Sequence, residues 1–285
     1  MTYDRVMTSR PHDGREGMPS RPWPPSSVFR LTTFVLASAC LASGCGAPND
    51  LPSQASRPWS QHYTLADGGE FQVVAANGLV DAQASDGPDV EVQAERIARA
   101  KSDGQAELFA ERIRIAEDVA PDRVVLRDEG IPGVVVGAES RVNFHVRVPA
   151  SARLRIYTAN GDITTTGVRG AVVLASTNGA VKAAQAGGPV EVRSTNGAVT
   201  IDVAASDGVP VDVHATNGDI ALVLPSTARA DVDAACTNGA VAVAGLSFEA
   251  SGEQLATHAR GRVHGGGVPV TLATTNGDIH VRPRP

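Results

Sequence analysis

The dipeptide Asn-Gly recurs along the chain inside one short motif, and this recurrence constrains the fold more than any other feature. STNGAV occurs at 176–181 and 194–199, and ATNGDI, CTNGAV and TTNGDI occur at 215–220, 236–241 and 274–279. Successive Asn residues of the motif are 18 or 21 positions apart, and the last follows after 38 positions, about two periods. A fixed period of this length is typical of proteins built from small stacked units.

The residues that flank each Asn follow one template. Around Asn196, aliphatic residues stand six and four positions before it at Val190 and Val192, a small residue stands two before it at Ser194, and Val199 follows it. Alternation with a period of two predicts strands with one buried face. Each period therefore holds two short strands, one that runs into Asn-Gly and one that leaves it.

Two architectures are compatible with such strands. Asn-Gly is the strongest short-range signal of a β-hairpin, which favours an antiparallel meander. In a β-solenoid each period is one coil, like residues stack at about 4.8 Å, and Asn side chains can form a ladder. Only stacking accounts for the repeated identity of the corner, including the Thr that precedes nearly every Asn. We therefore predict an all-β parallel solenoid with coils of about 18–21 residues.

The predicted corner ladder has an Asn and a Gly in each coil, and Gly supplies the positive φ that a tight corner needs. Its members are Asn160, Asn178, Asn196, Asn217, Asn238 and Asn276, followed by Gly161, Gly179, Gly197, Gly218, Gly239 and Gly277. We interpret these residues as structural corners rather than as a binding motif, because the whole template repeats around them.

The segments outside the regular repeat complete the predicted fold. Ser102–Gln105 resembles a helix capping box, and the residues after it have helical spacing, which predicts one short helix covering one side of the solenoid. Residues 71–80 already fit the template around Asn77–Gly78, and Pro149 is the predicted start of the regular coils. The charged and Pro-rich terminus, 282–285, is predicted to blunt an open edge strand.

Three stretches of the sequence resemble a known family. They are VRVPASARLRIYTANGDI at 146–163, the TNG copies, and GRVHGGGVPVTLATTNGDIHV at 261–281. They resemble the bacterial adhesin-like β-strand-repeat domains of unknown function, which are related to auto-transporter adhesin heads, and the resemblance covers about 71–281. It implies a right-handed parallel β-solenoid and a place in the cell envelope, and it implies no established activity.

The N-terminal 45 residues are predicted to be a signal peptide with a lipobox. Basic residues precede the apolar run 31–39, which is too short to span a bilayer. LASGC then places Cys45 where a bacterial lipoprotein is acylated. Cys40 is a weaker second candidate, and an ordinary signal peptide is the alternative. Met18 is a plausible start, which would leave 1–17 untranslated.

The residues after the lipobox divide into a tether and a domain. Residues 46–60 are rich in Pro, Ser, Asn and Ala and are predicted to be a flexible tether, and 61–285 to be the solenoid. Gly46 lacks the signal that retains a lipoprotein in the inner membrane, which favours the outer membrane. We expect the protein to be attached to the membrane through its lipid and to face the periplasm or the cell surface.

Composition narrows the classes of partner and site. The net charge of -6 argues against binding nucleic acid. Aromatic residues make up 4% of the chain, so the core must consist of Val, Ile, Leu and Ala. If Cys40 is cleaved off and Cys45 is acylated, Cys236 has no partner for a disulfide or a cysteine metal site. Cys236 occupies the inward slot of the template and is predicted to be buried.

Acidic residues in the repeats offer no fixed catalytic or metal-binding arrangement. Three of them follow the corner Gly, at Asp162, Asp219 and Asp278, and Ala takes this slot in the other coils, which would limit crowding of carboxylates. The outward acids of the strands lie in slots that differ from coil to coil. These are Asp202, Asp212, Asp231 and Asp233. We therefore predict no metal, no cofactor and no catalytic residues.

One segment breaks the repeat and carries basic residues. Within 248–267, His258, Arg260, Arg262 and His264 precede three glycines. Loops on a rigid scaffold often carry function, so this is a candidate binding loop for an anionic glycan or a phosphate. A plain solvated insertion is the alternative.

These observations together predict a non-enzymatic, lipid-anchored protein of the cell envelope. Its solenoid would serve adhesion, contact with an envelope protein or a glycan, or a structural role. The alternative is a carbohydrate-active β-helix enzyme, a lyase or a hydrolase, which would need carboxylates that converge in a groove.

Overall fold

Each repeat folds into two strands on either side of its Asn-Gly corner. The computed structural model describes residues 51–133, 136–251 and 255–284. Inward and outward residues alternate along these strands as the template predicts, for example in Val190–Asn196, where Val190, Val192 and Ser194 are buried. The two strands of a coil belong to two different sheets, and the core lies between the sheets.

The first sheet contains the strands that leave the corners and three longer strands from the N-terminal part of the chain. Its strands are β1 (Ser53–Thr64), β3 (Val80–Ser85), β4 (Asp89–Ala100), β7 (Ala138–Pro149), β9 (Ile163–Thr166), β11 (Val181–Ala186), β13 (Val199–Val203), β15 (Ile220–Leu224), β17 (Val241–Val243) and β21 (Ile279–Pro283). Their spatial order is β1-β4-β7-β3-β9-β11-β13-β15-β21-β17.

The second sheet contains the strands that run into the corners and two further strands at each of its ends. Its strands are β2 (Glu70–Asn77), β5 (Arg114–Ala120), β6 (Arg123–Gly130), β8 (Arg153–Asn160), β10 (Val172–Asn178), β12 (Val190–Asn196), β14 (Val211–Asn217), β16 (Ala230–Asn238), β18 (Phe248–Ala250), β19 (His258–Val263) and β20 (Val268–Asn276). Their spatial order is β18-β19-β16-β20-β14-β12-β10-β8-β2-β6-β5.

Pairing within the repeat region is parallel and in register. Strand β10 pairs with β8 and β12, and Asn178 lies opposite Asn160 on one side and Asn196 on the other. This pairing excludes the antiparallel meander and confirms an all-β, solenoid-like stack of coils. Antiparallel strands occur only at the two ends of the described sheets, in the pairs β1–β4, β4–β7, β5–β6, β16–β19 and β18–β19.

The order of coils in the stack differs from their order in the sequence. The last coil, β20–β21, lies between β14–β15 and β16–β17, so that Asn276 lies opposite both Asn217 and Asn238. The cause is that the chain after β17 forms β18 and β19 on the outer side of β16, and only then returns to fill the place beside β14. The prediction that Arg282 and its neighbours blunt an open edge strand is therefore wrong, because β21 lies between β15 and β17 and the edge strand is β17.

The first coil of the stack is the match to the template around Asn77–Gly78. The coil β2–β3 pairs in register with β8–β9, with Asn77 opposite Asn160, although 83 residues separate them in the sequence. The fit of 71–80 to the template is therefore confirmed, whereas the prediction that the regular coils begin only at Pro149 is wrong. The intervening chain leaves the stack through β4, forms a helix and β5, and returns through β6 and β7.

The predicted tether is shorter than the sequence indicated. Strand β1 begins at Ser53 and pairs with β4 along its whole length, from Ser53 opposite Ala100 to Thr64 opposite Asp89. Residues 53–60 therefore belong to the fold, because backbone pairing compensates for their polar composition. The signal peptide, the lipobox and Cys45 lie outside the described residues.

The predicted helix is confirmed as α1 (Asp103–Arg112), which packs against β1 and β4 and buries Ala106 and Ala110. The predicted capping box is not formed, because the side chain of Ser102 makes no cap hydrogen bond. The backbone N–H of Ala106 donates instead to the carbonyl of Ser102, at 2.9 Å. No helix among the described residues has the length and hydropathy of a membrane span.

The core between the sheets is aliphatic, with Leu154, Ile156, Ile201 and Leu222 among its fully buried side chains. Cys236 is only 8% exposed, which confirms its predicted burial. Burial, and then the charge of Asp278, raise the pKa of the Cys236 thiol above its ordinary value.

Candidate functional site

The corner asparagines form a continuous ladder of side-chain hydrogen bonds. In the middle of the stack, the Nδ2 of Asn178 donates to the Oδ1 of Asn160 at 2.8 Å. Asn196 donates to Asn178 at 2.8 Å, and Asn217 donates to Asn196 at 2.9 Å. The amides therefore bind one another, and each internal Asn both donates and accepts.

The ladder extends to both ends of the stack in spatial rather than sequence order. Asn160 donates to Asn77 at 2.9 Å, so Asn160 is an internal member and not the first one. At the other end Asn276 donates to Asn217 at 2.7 Å, and Asn238 donates to Asn276 at 2.8 Å. Asn238 is the terminal member, because no Asn amide of the described residues donates to it.

Position in the ladder should determine what an Asn contributes to stability. Asn196→Ala removes two side-chain hydrogen bonds, whereas Asn238→Ala removes one. A net hydrogen bond contributes about 1 kcal/mol, so we expect Asn196→Ala to lower the free energy of unfolding by about 1 kcal/mol more than Asn238→Ala. Denaturant titration of the two variants measures the difference, and equal losses would show that the ladder does not stabilise the stack.

The acidic residues beside the corners bind backbone groups of the next coil. The Oδ1 of Asp162 accepts the N–H of Ala180 at 2.8 Å, and the Oδ1 of Asp219 accepts the N–H of Asp278 at 2.9 Å. Because β20–β21 is inserted beside β14–β15, Asp219 and Asp278 lie in adjacent coils, and the predicted separation of these two carboxylates by Ala is wrong. The carboxylates of Asp162 and Asp219 therefore have a structural role at the corner.

Three of the outward aspartates on the strands are paired with basic side chains. Asp202 lies 2.6 Å from the guanidinium of Arg284, and the two oxygens of Asp212 lie 3.0 Å from Arg193 and 2.9 Å from His214. Asp233 lies 2.9 Å from the ring of His258. The fourth, Asp231, lies opposite Arg262 on the neighbouring strand. Within the described part of the chain no three His, Cys, Asp or Glu side chains form a potential metal site.

The candidate basic loop is mostly a strand. His258, Arg260 and Arg262 alternate along β19 with inward Ala259, Gly261 and Val263. The strand pairs antiparallel with β16, which places the basic residues beside the aspartates of β16. His264 follows the strand, and its Nδ1 lies 3.0 Å from the carbonyl oxygen of Ala228. Residues 258–263 are a strand rather than a loop because their alternation of small and basic residues is itself a strand pattern, and their binding role stays a prediction.

Two buried titratable side chains tie the N-terminal end of the stack together. Burial raises the pKa of Asp128 above its ordinary value, although the backbone N–H of Gly130 donates to its carboxylate at 2.8 Å. Burial and a 2.7 Å hydrogen bond from its hydroxyl to Glu117 raise the pKa of Tyr63. These contacts join β6 to its own turn and β1 to β5, so both groups hold structure.

Beside the ladder runs a row of exposed threonines, which we name the threonine row. Its members precede the corner Asn in five consecutive coils of the stack. They are Thr177, Thr195, Thr216, Thr275 and Thr237, in spatial order. Neighbouring strands are about 4.8 Å apart, so the row presents hydroxyl groups at a regular spacing along one edge of the solenoid.

Stacked parallel coils with a polar ladder at the corner define a solenoid-like, all-β repeat protein. Such a protein builds its surface from repeated rows of side chains rather than from one catalytic cleft. The chain belongs to the Toastrack DUF4097 family, which matches residues 64–282. This match confirms the resemblance to adhesin-like repeat domains of unknown function that the TNG copies indicated.

Several solved structures are similar to this chain. A putative cell adhesion protein from Clostridium sporogenes ATCC 15579 is 12% identical with a TM-score of 0.49, over 80% of this chain and 100% of that one. A putative adhesin from Bacteroides fragilis NCTC 9343 is 9% identical with a TM-score of 0.34, over 81% of this chain and 99% of that one. No curated protein matches the sequence.

Proposed function

We propose that this chain is a lipid-anchored protein of the cell envelope whose solenoid acts without catalysis. It serves adhesion, contact with a protein or a glycan, or a structural role. The coils are right-handed in this proposal, because connections between parallel strands of one sheet are right-handed in nearly all proteins.

The observation that carries the non-catalytic role is the engagement of the polar groups that could perform chemistry. The corner amides bind one another, and the corner carboxylates of Asp162 and Asp219 bind backbone groups. The outward carboxylates of Asp202 and Asp212 are held by arginines. Glycoside cleavage needs a pair of carboxylates free to exchange protons and attack the sugar, and these four are committed elsewhere.

The threonine row supports a role in contact rather than turnover. Five hydroxyl groups lie at a regular spacing that the in-register pairing of their strands sets. Such a row can bind a partner over several coils at once, because side chains on a preorganised scaffold lose little freedom on binding. Repeat proteins generally use their long faces in this way.

The anchor is proposed from the sequence around Cys45. A basic segment, the short apolar run 31–39 and LASGC fit an acylated cysteine. Because β1 begins at Ser53, only the seven residues 46–52 separate the acylated residue from the first strand. The solenoid would thus lie close to the membrane surface, and Gly46 favours the outer membrane.

Replacing the acylated residue tests the anchor. We expect Cys45→Ser to move the protein from the membrane fraction to the soluble envelope fraction and to abolish the acyl mass, because the thiol is the site of acylation. Cys40→Ser is the matched control and should leave both unchanged. Membrane retention of Cys45→Ser with no acyl mass in the wild-type protein would exclude this attachment.

A further inference from the structure

A cleft near the N-terminal end of the stack contains more arginines than its carboxylates can neutralise. It lies where the end of α1 meets the start of β5 and the end of β6, and it has a volume of about 510 Å³, within the range of small-molecule sites. We name it the α1 cleft. The residues that matter below are Trp59, Arg96, Arg112, Arg114, Ile115 and Glu129.

Arg96 occupies a position that the strand pattern reserves for apolar residues. Along β4 the inward row is Val90, Val92, Ala94, Arg96, Ala98 and Ala100, and all except Arg96 are buried aliphatic residues. A charged residue in such a row is unfavourable unless it has a partner or a function. Arg96 is half-buried, and it lines the cleft.

The surroundings of Arg96 increase this cost. Its partner across the strands is Arg57 of β1, and like charges directly opposite each other destabilise a sheet. The nearby carboxylate of Glu111 forms an ion pair with Arg57, at 3.4 Å, and not with Arg96. Among the described residues no carboxylate lies within ion-pair distance of Arg96.

The hydrogen-bonding capacity of Arg96 is also largely unused. Its Nη1 donates to the carbonyl of Ile113 at 3.2 Å, and its Nε is enclosed without a partner among the described residues. Arg112 and Arg114 add two further guanidinium groups, against Glu111 and Glu129. Unsatisfied buried donors are rare in proteins, and each one in a native structure calls for an explanation.

We propose that the α1 cleft binds an anionic sugar. Its carboxylate or phosphate group accepts hydrogen bonds from Arg96, whose planar fork suits both anions. Its ring packs on the apolar surface of Trp59 and Ile115, which lie on β1 and β5 and line the same cleft. Such a ligand would neutralise the charge of Arg96, and its anion would accept from guanidinium N–H groups other than the enclosed Nε.

This site is separate from the threonine row and from the anchor. Its failure would leave the lipid attachment standing, since Cys45→Ser tests that attachment independently. The probe is Trp59 itself, because the only other Trp in the sequence, Trp23, lies in the proposed signal peptide and is replaced so that uncleaved chain adds no signal. The full chain carrying Trp23→Phe is purified in detergent, and its fluorescence is followed while ligand is added.

The titration compares D-glucuronate, D-glucose 6-phosphate, inorganic phosphate and neutral D-glucose. We expect saturable changes in Trp59 fluorescence with glucuronate or glucose 6-phosphate, with dissociation constants of about 1 mM or lower, and none with glucose. The acid that binds more tightly shows whether the site prefers a carboxylate or a phosphate group. Equal binding of glucose, or no saturable change with either acid, overturns the proposal, and phosphate binding as tightly as glucose 6-phosphate overturns its sugar part.

Arg96 variants test the location. Arg96→Gln should weaken binding at least about tenfold, the effect of losing one charge-assisted hydrogen bond, and Arg96→Lys should weaken it less. Arg169→Gln is the matched control, because it removes the same charge from an exposed loop and should leave binding unchanged. Unchanged affinity in Arg96→Gln, or an equal loss in Arg169→Gln, contradicts the assignment.

Thermal unfolding separates binding from a structural role. Arg96→Gln removes the hydrogen bond to Ile113 but also relieves the repulsion from Arg57, so without ligand the variant should melt close to the wild type. The acidic sugar should raise the melting temperature of the wild type and not that of Arg96→Gln. A variant that melts lower and gains the same shift from ligand would show that Arg96 holds structure only.

Discussion

Replacing Gly197 by valine should lower the free energy of unfolding by about 3 kcal/mol or more, the largest loss we expect from any single substitution in the repeat. Gly197 has a φ of 140°, which a β-branched residue strongly resists. A Cβ atom there would overlap the carbonyl group of Gly179 in the adjacent coil. Strain contributes about 1–3 kcal/mol and overpacking a similar amount. The corner therefore needs glycine both for its conformation and for the close approach of the next coil.

Gly87→Val is the control for this prediction. Gly87 lies between β3 and β4, and a Cβ atom there would meet no other atom within 4 Å. We expect a change of less than about 1 kcal/mol, as for most surface substitutions. Denaturant unfolding of both variants gives the comparison, and equal stability of Gly197→Val and Gly87→Val would mean that the coils do not pack through their corners.

The second large effect should come from the inward row of a central coil. Ile201 is fully buried in β13, between the two sheets, and Ile201→Ala should lower the free energy of unfolding by about 2–5 kcal/mol, through lost burial and the remaining cavity. Thr200 precedes it and points to the opposite face of the sheet. Thr200→Ala should change stability by no more than about 0.5 kcal/mol.

This pair of neighbours tests the register of the coil. A shift of one residue would exchange the faces of β13 and reverse the two effects. A loss in Thr200→Ala as large as that in Ile201→Ala, measured by the same titration, would therefore show that the template places the wrong residues inside.

The strands and corners could be predicted from the sequence because the residues within each repeat determine its local structure. Alternation fixes the buried face, and Asn-Gly fixes the corner, so no distant information is needed. The order of the coils could not be predicted in the same way. All coils share one template, so Ala234 would fit beside Val213 as Leu272 does, and local rules do not distinguish the two arrangements.

The ends of the stack were harder to predict for another reason. Residues 53–60 have the polar composition of a linker, and only pairing with β4, more than 30 residues away, makes them a strand. The α1 cleft left a weak signal that was missed. Arg96 interrupts the alternation of Val90, Val92 and Ala94, and a charged residue at an inward position indicates a site that apolar packing does not explain.

Cross-linking of engineered cysteines tests the central claim, that the Asn-Gly repeats are corners of parallel coils stacked with the last coil inserted. In a background in which Cys40, Cys45 and Cys236 are replaced by Ser, His214→Cys is combined with Ala273→Cys in one variant and with Ala235→Cys in another. His214 lies opposite Ala273, and Ala273 opposite Ala235, in adjacent strands.

Strands of adjacent coils are about 4.8 Å apart, within the reach of a disulfide, whereas strands two coils apart are separated by about 9.6 Å, beyond it. The measurement is the fraction of disulfide after mild oxidation of the folded protein, determined by mass. Our account predicts a disulfide in the pair at 214 and 273 and none in the pair at 214 and 235. A disulfide between 214 and 235, with none between 214 and 273, would contradict it.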